Sequence, residues 1–234
     1  MIRYIRNFFR KFRYKIKFFY RMRNCKINYF VSSEVSNNEL TELMNFYGSD
    51  KGGNGKIHNF SDYYSSIFYF RKNQIKNLLE VGLGTNNINL ASNMGADGKP
   101  LASLRAWQDY FKNADIYGAD IDKTILKNEG RIKTFFVDQT DKSSIELMFR
   151  NIGNVLFDII IDDGLHKFEA NINLFENSFK FLSKEGIYII EDVYSKDKEK
   201  FLDYFKKNNY NFSIVDIFHP DNISNNSIVK IYNQ

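Results

Sequence analysis

Asn77-Leu78-Leu79-Glu80-Val81-Gly82-Leu83-Gly84-Thr85 is a short, mostly apolar run that breaks into a turn marked by two glycines. A run of this length bounded by glycine fits a strand buried in a sheet better than a helix. Similar runs recur at 115–121, 132–138, 157–163 and 186–193. Amphipathic stretches of helix length lie between them, at 101–111, 143–150, 168–182 and 197–208. Strands joined by helix-length crossovers run parallel, with the helices packed on the sheet faces. The end of the chain differs. Residues 211–218 and 227–233 are strand-like and separated only by a Pro-Asp-Asn-rich loop, which predicts an antiparallel hairpin at the sheet edge. The predicted fold is therefore α/β: five parallel strands plus a C-terminal antiparallel hairpin, with helices on both faces.

Upstream of this series the sequence predicts helices over 39–47 and 62–70, flanking a loop at Gly48-Ser49-Asp50-Lys51-Gly52-Gly53. Residues 32–38 read as a polar linker. The chain has 234 residues and 43% hydrophobic content, enough for one real core. Its net charge is +5, but the first 33 residues hold ten cations, and the first acid is Glu34, so the remainder carries −5. The expected organisation is a basic, aromatic arm over 1–33 and a single domain over 34–234. The arm interleaves Phe8, Phe9, Phe12, Phe18 and Phe19 with its Arg and Lys residues. Three readings stand: a helix packing its Phe side chains on the domain, a helix on an anionic membrane surface, or a nucleic-acid contact. The last ranks lowest, because no RNA-reading motif accompanies it. The single cysteine, Cys25, excludes an intrachain disulfide and a Cys-based zinc site. A cytoplasmic setting is expected, with neither a signal peptide nor a membrane span in the sequence.

Glycines at the carboxyl end of a first strand allow a sharp turn and close approach to a ligand, which marks Gly82 and Gly84. The second strand ends in Gly118-Ala119-Asp120-Ile121-Asp122, where an acid can accept both hydroxyls of a ribose. The third ends in Asp138-Gln139, placed to meet an adenine edge. A dinucleotide cofactor would require a third glycine and an immediate helix N-terminus for its pyrophosphate. Here the third position is Asn87, and a polar insertion over 86–99 delays the helix. A ligand with ribose and adenine but no phosphate fits better, and S-adenosylmethionine is such a ligand, with Glu80 near its cationic methionine end.

Strands four and five end in Asp162-Asp163-Gly164-Leu165-His166 and Glu191-Asp192. Neighbouring strands lie about 5 Å apart, so these carboxylates and the histidine reach one mouth beside the cofactor crevice. Carboxylates so close repel unless a cation binds or protons are taken up, and Mg²⁺ suits an all-oxygen set. Adjacent strand residues point to opposite faces, so only one of Asp162 and Asp163 faces a metal. The plainer alternatives are Asp163 as a helix cap, Glu191 and Asp192 as a solvated strand end, and His166 as a structural histidine. Trp107 reads as helix core.

The chain resembles the class I S-adenosylmethionine-dependent methyltransferases. Within them it resembles the metal-dependent macrolide-sugar O-methyltransferases of the mycinamicin and macrocin type, with relatives in bacterial polysaccharide clusters. The likeness rests on Tyr47-Gly48-Ser49-Asp50-Lys51-Gly52 with His58 and Tyr63, on Glu80-Val81-Gly82-Leu83-Gly84, and on Ala102-Ser103-Leu104-Arg105-Ala106-Trp107. It continues through Ile116–Asp122, Val137–Asp141, Ile161–His166 and Ile190-Glu191-Asp192, and so covers the chain from about Asn38 onward. It implies a Rossmann-like fold and cofactor contacts from Glu80, Gly82, Gly84, Ser103, Asp120, Asp138 and Gln139. It also implies Asp163, Glu191 and Asp192 as metal ligands, His166 as general base, and Lys51, His58 and Tyr63 at the acceptor mouth. The expected acceptor is a sugar hydroxyl, nucleotide- or lipid-linked within a surface polysaccharide, and self-association is common for such domains. The basic arm departs from the family, whose members carry other N-terminal elements. Two rival functions remain: an RNA methyltransferase guided by the arm, and a non-catalytic adenosyl-ligand binder.

Overall fold

The computed structural model describes residues 28–30, 38–53, 58–219, 222 and 224–233. Eight strands form one sheet in the order β1-β7-β8-β6-β5-β2-β3-β4. In chain order these are β1 (Asn28–Phe30), β2 (Asn77–Val81), β3 (Asp115–Asp120), β4 (Ile132–Phe136), β5 (Phe157–Asp162), β6 (Leu182–Ile190), β7 (Asn211–Ile217) and β8 (Ser227–Tyr232). Only β8 runs against its neighbours, pairing antiparallel with both β6 and β7. The strand order reverses between β2 and β5, at the switch point where open α/β sheets bind ligands.

Alternate side chains of each strand feed two apolar layers, as a period of two requires. Leu78, Ile159, Ile161 and Ile189 face α1 (Glu39–Tyr47), α2 (Phe60–Phe68) and α3 (Ala102–Tyr110). Leu79, Ile160, Tyr188 and Ile190 face α4 (Lys142–Ile152), α5 (Phe168–Ser178) and α6 (Lys198–Lys207). These central strands are apolar on both faces, which is why they read as continuous runs in the sequence. Local chemistry sets the helix ends. Asn38 caps α1 by accepting the Thr41 amide at 2.9 Å, and Gly48 ends it in the left-handed region. Asp141 caps α4 through Ser143 N at 2.9 Å.

The five parallel strands and the hairpin stand where the sequence predicts them, with differences at the ends. Helix α2 spans Phe60–Phe68 rather than 62–70, because the chain tightens into a 3₁₀ turn at Tyr69–Arg71. The predicted 168–182 helix ends at Ser178, and a 3₁₀ turn over Phe179–Phe181 leads into β6 four residues before the predicted start. A register shift opposite Phe157 and Ile159 absorbs the extra residues. The hairpin does not form the sheet edge. Residues 28–30, within the expected arm, pair parallel with β7 outside it, and Phe218 N donates to Phe30 O at 2.9 Å. The rest of the arm and the expected boundary at 33–34 lie outside the described residues. Among the described residues no helix is long and apolar enough to cross a membrane.

Phe205 on α6 is fully buried, with its ring 5.0 Å from that of Phe175 and 5.3 Å from that of Phe212. Phe205→Ala is expected to cost about 3–5 kcal/mol through lost burial and a residual cavity. The midpoint and slope of urea unfolding check this.

Candidate active site

A cavity of about 490 Å³ opens at the carboxyl ends of the central strands. Its wall begins at Gly82, which has φ +97°; a Cβ there would lie 2.0 Å from Asp163 O. The segment leaving β5 therefore crosses directly over Gly82, and Asp163 N donates to Val81 O at 2.8 Å. Glycine is demanded here by the protein's own backbone. Gly84 lines the same wall, with φ +78°. The 86–99 insertion folds back on itself, with Asn86 Nδ2 donating to Gly95 O at 2.6 Å and Gly98 O at 2.9 Å.

Asp120 lines the cavity at the end of β3. Its carboxylate is fixed by Leu83 N at 2.7 Å and Asp122 N at 2.8 Å, which leaves each oxygen a further lone pair. Burial raises its pKa against these donors. Asp138, beyond β4, and Ser103, on α3, also line the cavity.

Two expected cofactor contacts are placed differently. Glu80 is fully buried and absent from the cavity wall. Its carboxylate turns into α3, accepting Trp107 Nε1 at 2.5 Å and the Ser103 hydroxyl. A buried acid needs such donors, and Trp107, stacked on Phe111, supplies one from the core. Gln139 borders the cavity, but its amide is committed within the protein. Nε2 donates to Asp162 Oδ1 at 2.7 Å, and Oε1 accepts Leu165 N at 2.8 Å.

The acidic mouth forms where β5 and β6 end side by side, with Asp162 opposite Ile190. Asp162 is fully buried and points away from the mouth, accepting Asn171 Nδ2 at 2.9 Å, Gln139 Nε2 and Gly164 N. Burial still pushes it up to about 7. Asp163 is the member of the pair that faces the mouth. It does not cap α5, whose N-cap is Lys167. Asp163, His166 and Asp192 offer ligand atoms within 4.8 Å of one another. His166 and Asp192 both adopt positive φ, 55° and 54°, a costly conformation for such residues.

Lys51, 2% exposed, donates from Nζ to Asp163 Oδ2 and, at 2.5 Å, to Glu191 Oε2. Tyr64 OH donates to Glu191 Oε1 at 2.5 Å. Burial works against the charged form of Asp163, yet Lys51 and the two histidines outweigh it and lower its pKa. Asp192 goes the other way: burial, then the charge on Asp163, raises it well above the usual carboxylate range. His58 Nε2 stands 3.2 Å from Asp192 Oδ1 without hydrogen-bond alignment, and its Nδ1 lies 3.0 Å from Asn226 Oδ1. Asp192 Oδ1 and His166 Nδ1 are buried with no hydrogen-bond partner among the described residues.

Lys51, His58, Asp163, His166 and Asp192 thus share the cavity, with Glu191 directly beneath. Tyr63 does not. Its hydroxyl accepts Lys230 Nζ at 2.8 Å, and its ring meets Phe30 on the far side of α2. Tyr64, which reaches Glu191, is a site residue that the motifs do not mark. Phe60, Tyr64 and Phe68 make the four-residue stripe that turns into the core, and that spacing was the available signal. Asn226 carried no signal, since only the β6-β8 pairing brings its loop to the mouth.

Asp162→Ala strands three donors and is expected to lower stability by about 1–3 kcal/mol, read by thermal or urea unfolding. Gly82→Ala forces Asp163 from its position and is expected to reduce stability as well as ligand binding at the mouth.

No protein-family model matches the chain. It is 32% identical over 154 residues to the 8-demethyl-8-alpha-L-rhamnosyl tetracenomycin-C 2'-O-methyltransferase of Streptomyces olivaceus, covering 66% of this chain and 37% of the relative. It is 33% identical over 158 residues to the mycinamicin VI 2''-O-methyltransferase of Micromonospora griseorubida, covering 67% and 36%. It superposes on the MycE methyltransferase of the mycinamycin pathway, solved with Mg and SAH, with TM-score 0.62 and 25% identity over 84% of this chain and 55% of that one. The chain thus spans little more than a third of the length of those two sequence relatives. Over its sheet and cavity the chain has the Rossmann-like class I methyltransferase fold and is related to the macrolide-sugar O-methyltransferases.

Proposed function

We propose that this chain is an S-adenosylmethionine-dependent O-methyltransferase that methylates a sugar hydroxyl, with Mg²⁺ bound at its acidic mouth. The observation that carries this reading is the convergence of Asp163, His166 and Asp192 within 4.8 Å, inside the cavity whose other wall is Gly82, Gly84 and Asp120. Its volume, about 490 Å³, is in the range that encloses a small-molecule ligand. The donor set suits a hard divalent ion. One ammonium, Lys51, pairs with Asp163 and Glu191, while Asp192 stands beside His58 and His166 and its Oδ1 is buried with no hydrogen-bond partner among the described residues. Asp163 and Asp192 would hold the ion, with Glu191 as a third carboxylate once its present partners yield.

S-adenosylmethionine supplies a methyl on a cationic sulfur, and Mg²⁺ a charge that lowers the pKa of a bound hydroxyl. The protein's part is to align the acceptor and take its proton. His166 suits that task better than metal ligation, because a hard ion prefers the oxygens around it. Burial lowers its pKa, so the ring is neutral at neutral pH. Its Nε2 faces Asp192 Oδ2 at 3.5 Å, which leaves the partnerless Nδ1 as the basic atom. Asp120 would hold the cofactor ribose, and Ser103 and Asp138 would border the rest of it.

The rhamnosyl group in the name of one relative supports a sugar acceptor. We place that acceptor in a bacterial surface polysaccharide, such as a capsule precursor, carried on a nucleotide or lipid. The ten cations of residues 1–33 support this, since they suit a phosphate-bearing carrier or an anionic membrane face.

The test is methyl transfer to a panel of sugar nucleotides, followed by mass spectrometry. Activity is expected with Mg²⁺ and to be lost in EDTA. His166→Ala is expected to lower kcat about 10²–10⁴-fold with cofactor binding retained. A base must be deprotonated, so the wild-type rate rises with pH along a one-proton limb whose midpoint lies below the ordinary histidine value of 6.5, because burial lowers the His166 pKa. A rate that falls over that range, or that is indifferent to His166, contradicts the assignment.

A further inference from the structure

We propose that Lys51 is a tethered counter-cation, and that its ammonium and the divalent ion are alternative occupants of the Asp163–Glu191 pair. This rests on the reading that the acidic mouth takes a divalent ion. Lys51 Nζ holds Asp163 Oδ2 and Glu191 Oε2, while Tyr64 takes the other oxygen of Glu191, so each oxygen of that carboxylate already has a donor. Mg²⁺ binds oxygen at about 2.1 Å. An ion on the Glu191 oxygen that Lys51 holds at 2.5 Å would therefore lie within about 4.6 Å of the ammonium. Two cations that close in a buried site repel strongly.

The lysine is delivered on a fixed base. Its 3₁₀ turn, Asp50–Gly52, lies between Gly48 and Gly53, both at positive φ, and is clamped by Asn45 Nδ2 on Gly52 O at 3.1 Å and His58 N on Asp50 O at 3.3 Å. The backbone is held, but the four-carbon stem can swing, and Lys51 lines the open cavity into which it would turn. In the metal-free protein the ammonium spares the buried Glu191 and the partly buried Asp163 an unpaired state, which would be costly. Metal binding then has to displace it, and the displaced charge turns toward the acceptor side of the cavity.

The experiment is Mg²⁺ titration by calorimetry of wild type, Lys51→Met and Lys51→Gln, without cofactor, alongside trace acetylation of wild-type amines read by mass spectrometry. Both variants are expected to bind Mg²⁺ about tenfold more tightly or better, within the range typical of coupled sites, and to show a lower Tm in EDTA that Mg²⁺ restores. Acetylation of Lys51 in wild type is expected to rise when Mg²⁺ is added. This readout decides the matter if neither variant folds. Binding in the variants alone also supports the proposal. If wild type binds Mg²⁺ and the variants bind it equally or more weakly, or Lys51 labelling stays flat or falls, the ammonium and the ion are co-resident and the proposal is overturned. If no form binds Mg²⁺, the metal reading itself fails and this proposal fails with it.

Discussion

Asp163, Glu191 and Asp192 stand together against their mutual repulsion, and the parallel register of β5 and β6 holds them there. The ladder continues one residue past each strand, with Asp163 N on Val81 O at 2.8 Å and Glu191 N on Asp162 O at 2.9 Å. Backbone hydrogen bonds thus fix where the acids emerge, and side-chain chemistry adapts. Lys51 and Tyr64 close on Glu191, while Asp192 is left with raised proton affinity. Such an excess of buried negative charge is tolerated where cations or protons enter as part of function.

The same constraint ties the cofactor end to the mouth. Gly82 has no side chain because the Asp163 backbone lies over it, and Gln139 joins the end of β4 to both Asp162 and Leu165. Asp162 contributes no ligand atom, but it anchors the segment that aims Asp163 and His166. A change beneath the cavity at Gly82, Gln139 or Asp162 therefore reaches the acidic cluster through a few direct contacts. The positive φ of His166 and Asp192 fits a site whose backbone is dictated from below.

The fold was legible because its central strands are apolar on both faces and end in glycine or acid, a pattern that helices do not share. The convergence of Asp163, His166 and Asp192 was legible too, since it needs only strand ends and sheet order. Details set by side-chain direction were not. Glu80 stands two residues before the Gly82 turn, where the sequence suggests a cofactor contact, yet Trp107 and Ser103 draw its carboxylate into α3. Tyr63 and Tyr64 are adjacent, and only the helix phase distinguishes the one at Lys230 from the one at Glu191. Strand β1 is three residues long within a basic aromatic segment, with too little alternation to signal a strand. The pairing of Lys51 with acids 112 and 140 residues away is set by tertiary structure alone.

The central claim is that an adenosyl cofactor and a divalent ion occupy adjoining parts of one cavity, the ion through Asp163. Calorimetric titration with S-adenosylmethionine, then with Mg²⁺, of wild type and Asp163→Ala tests it most directly. The account predicts cofactor binding in both proteins and a Mg²⁺ heat in wild type that the substitution removes. Mg²⁺ binding that survives in Asp163→Ala, or no cofactor binding in wild type, would contradict it.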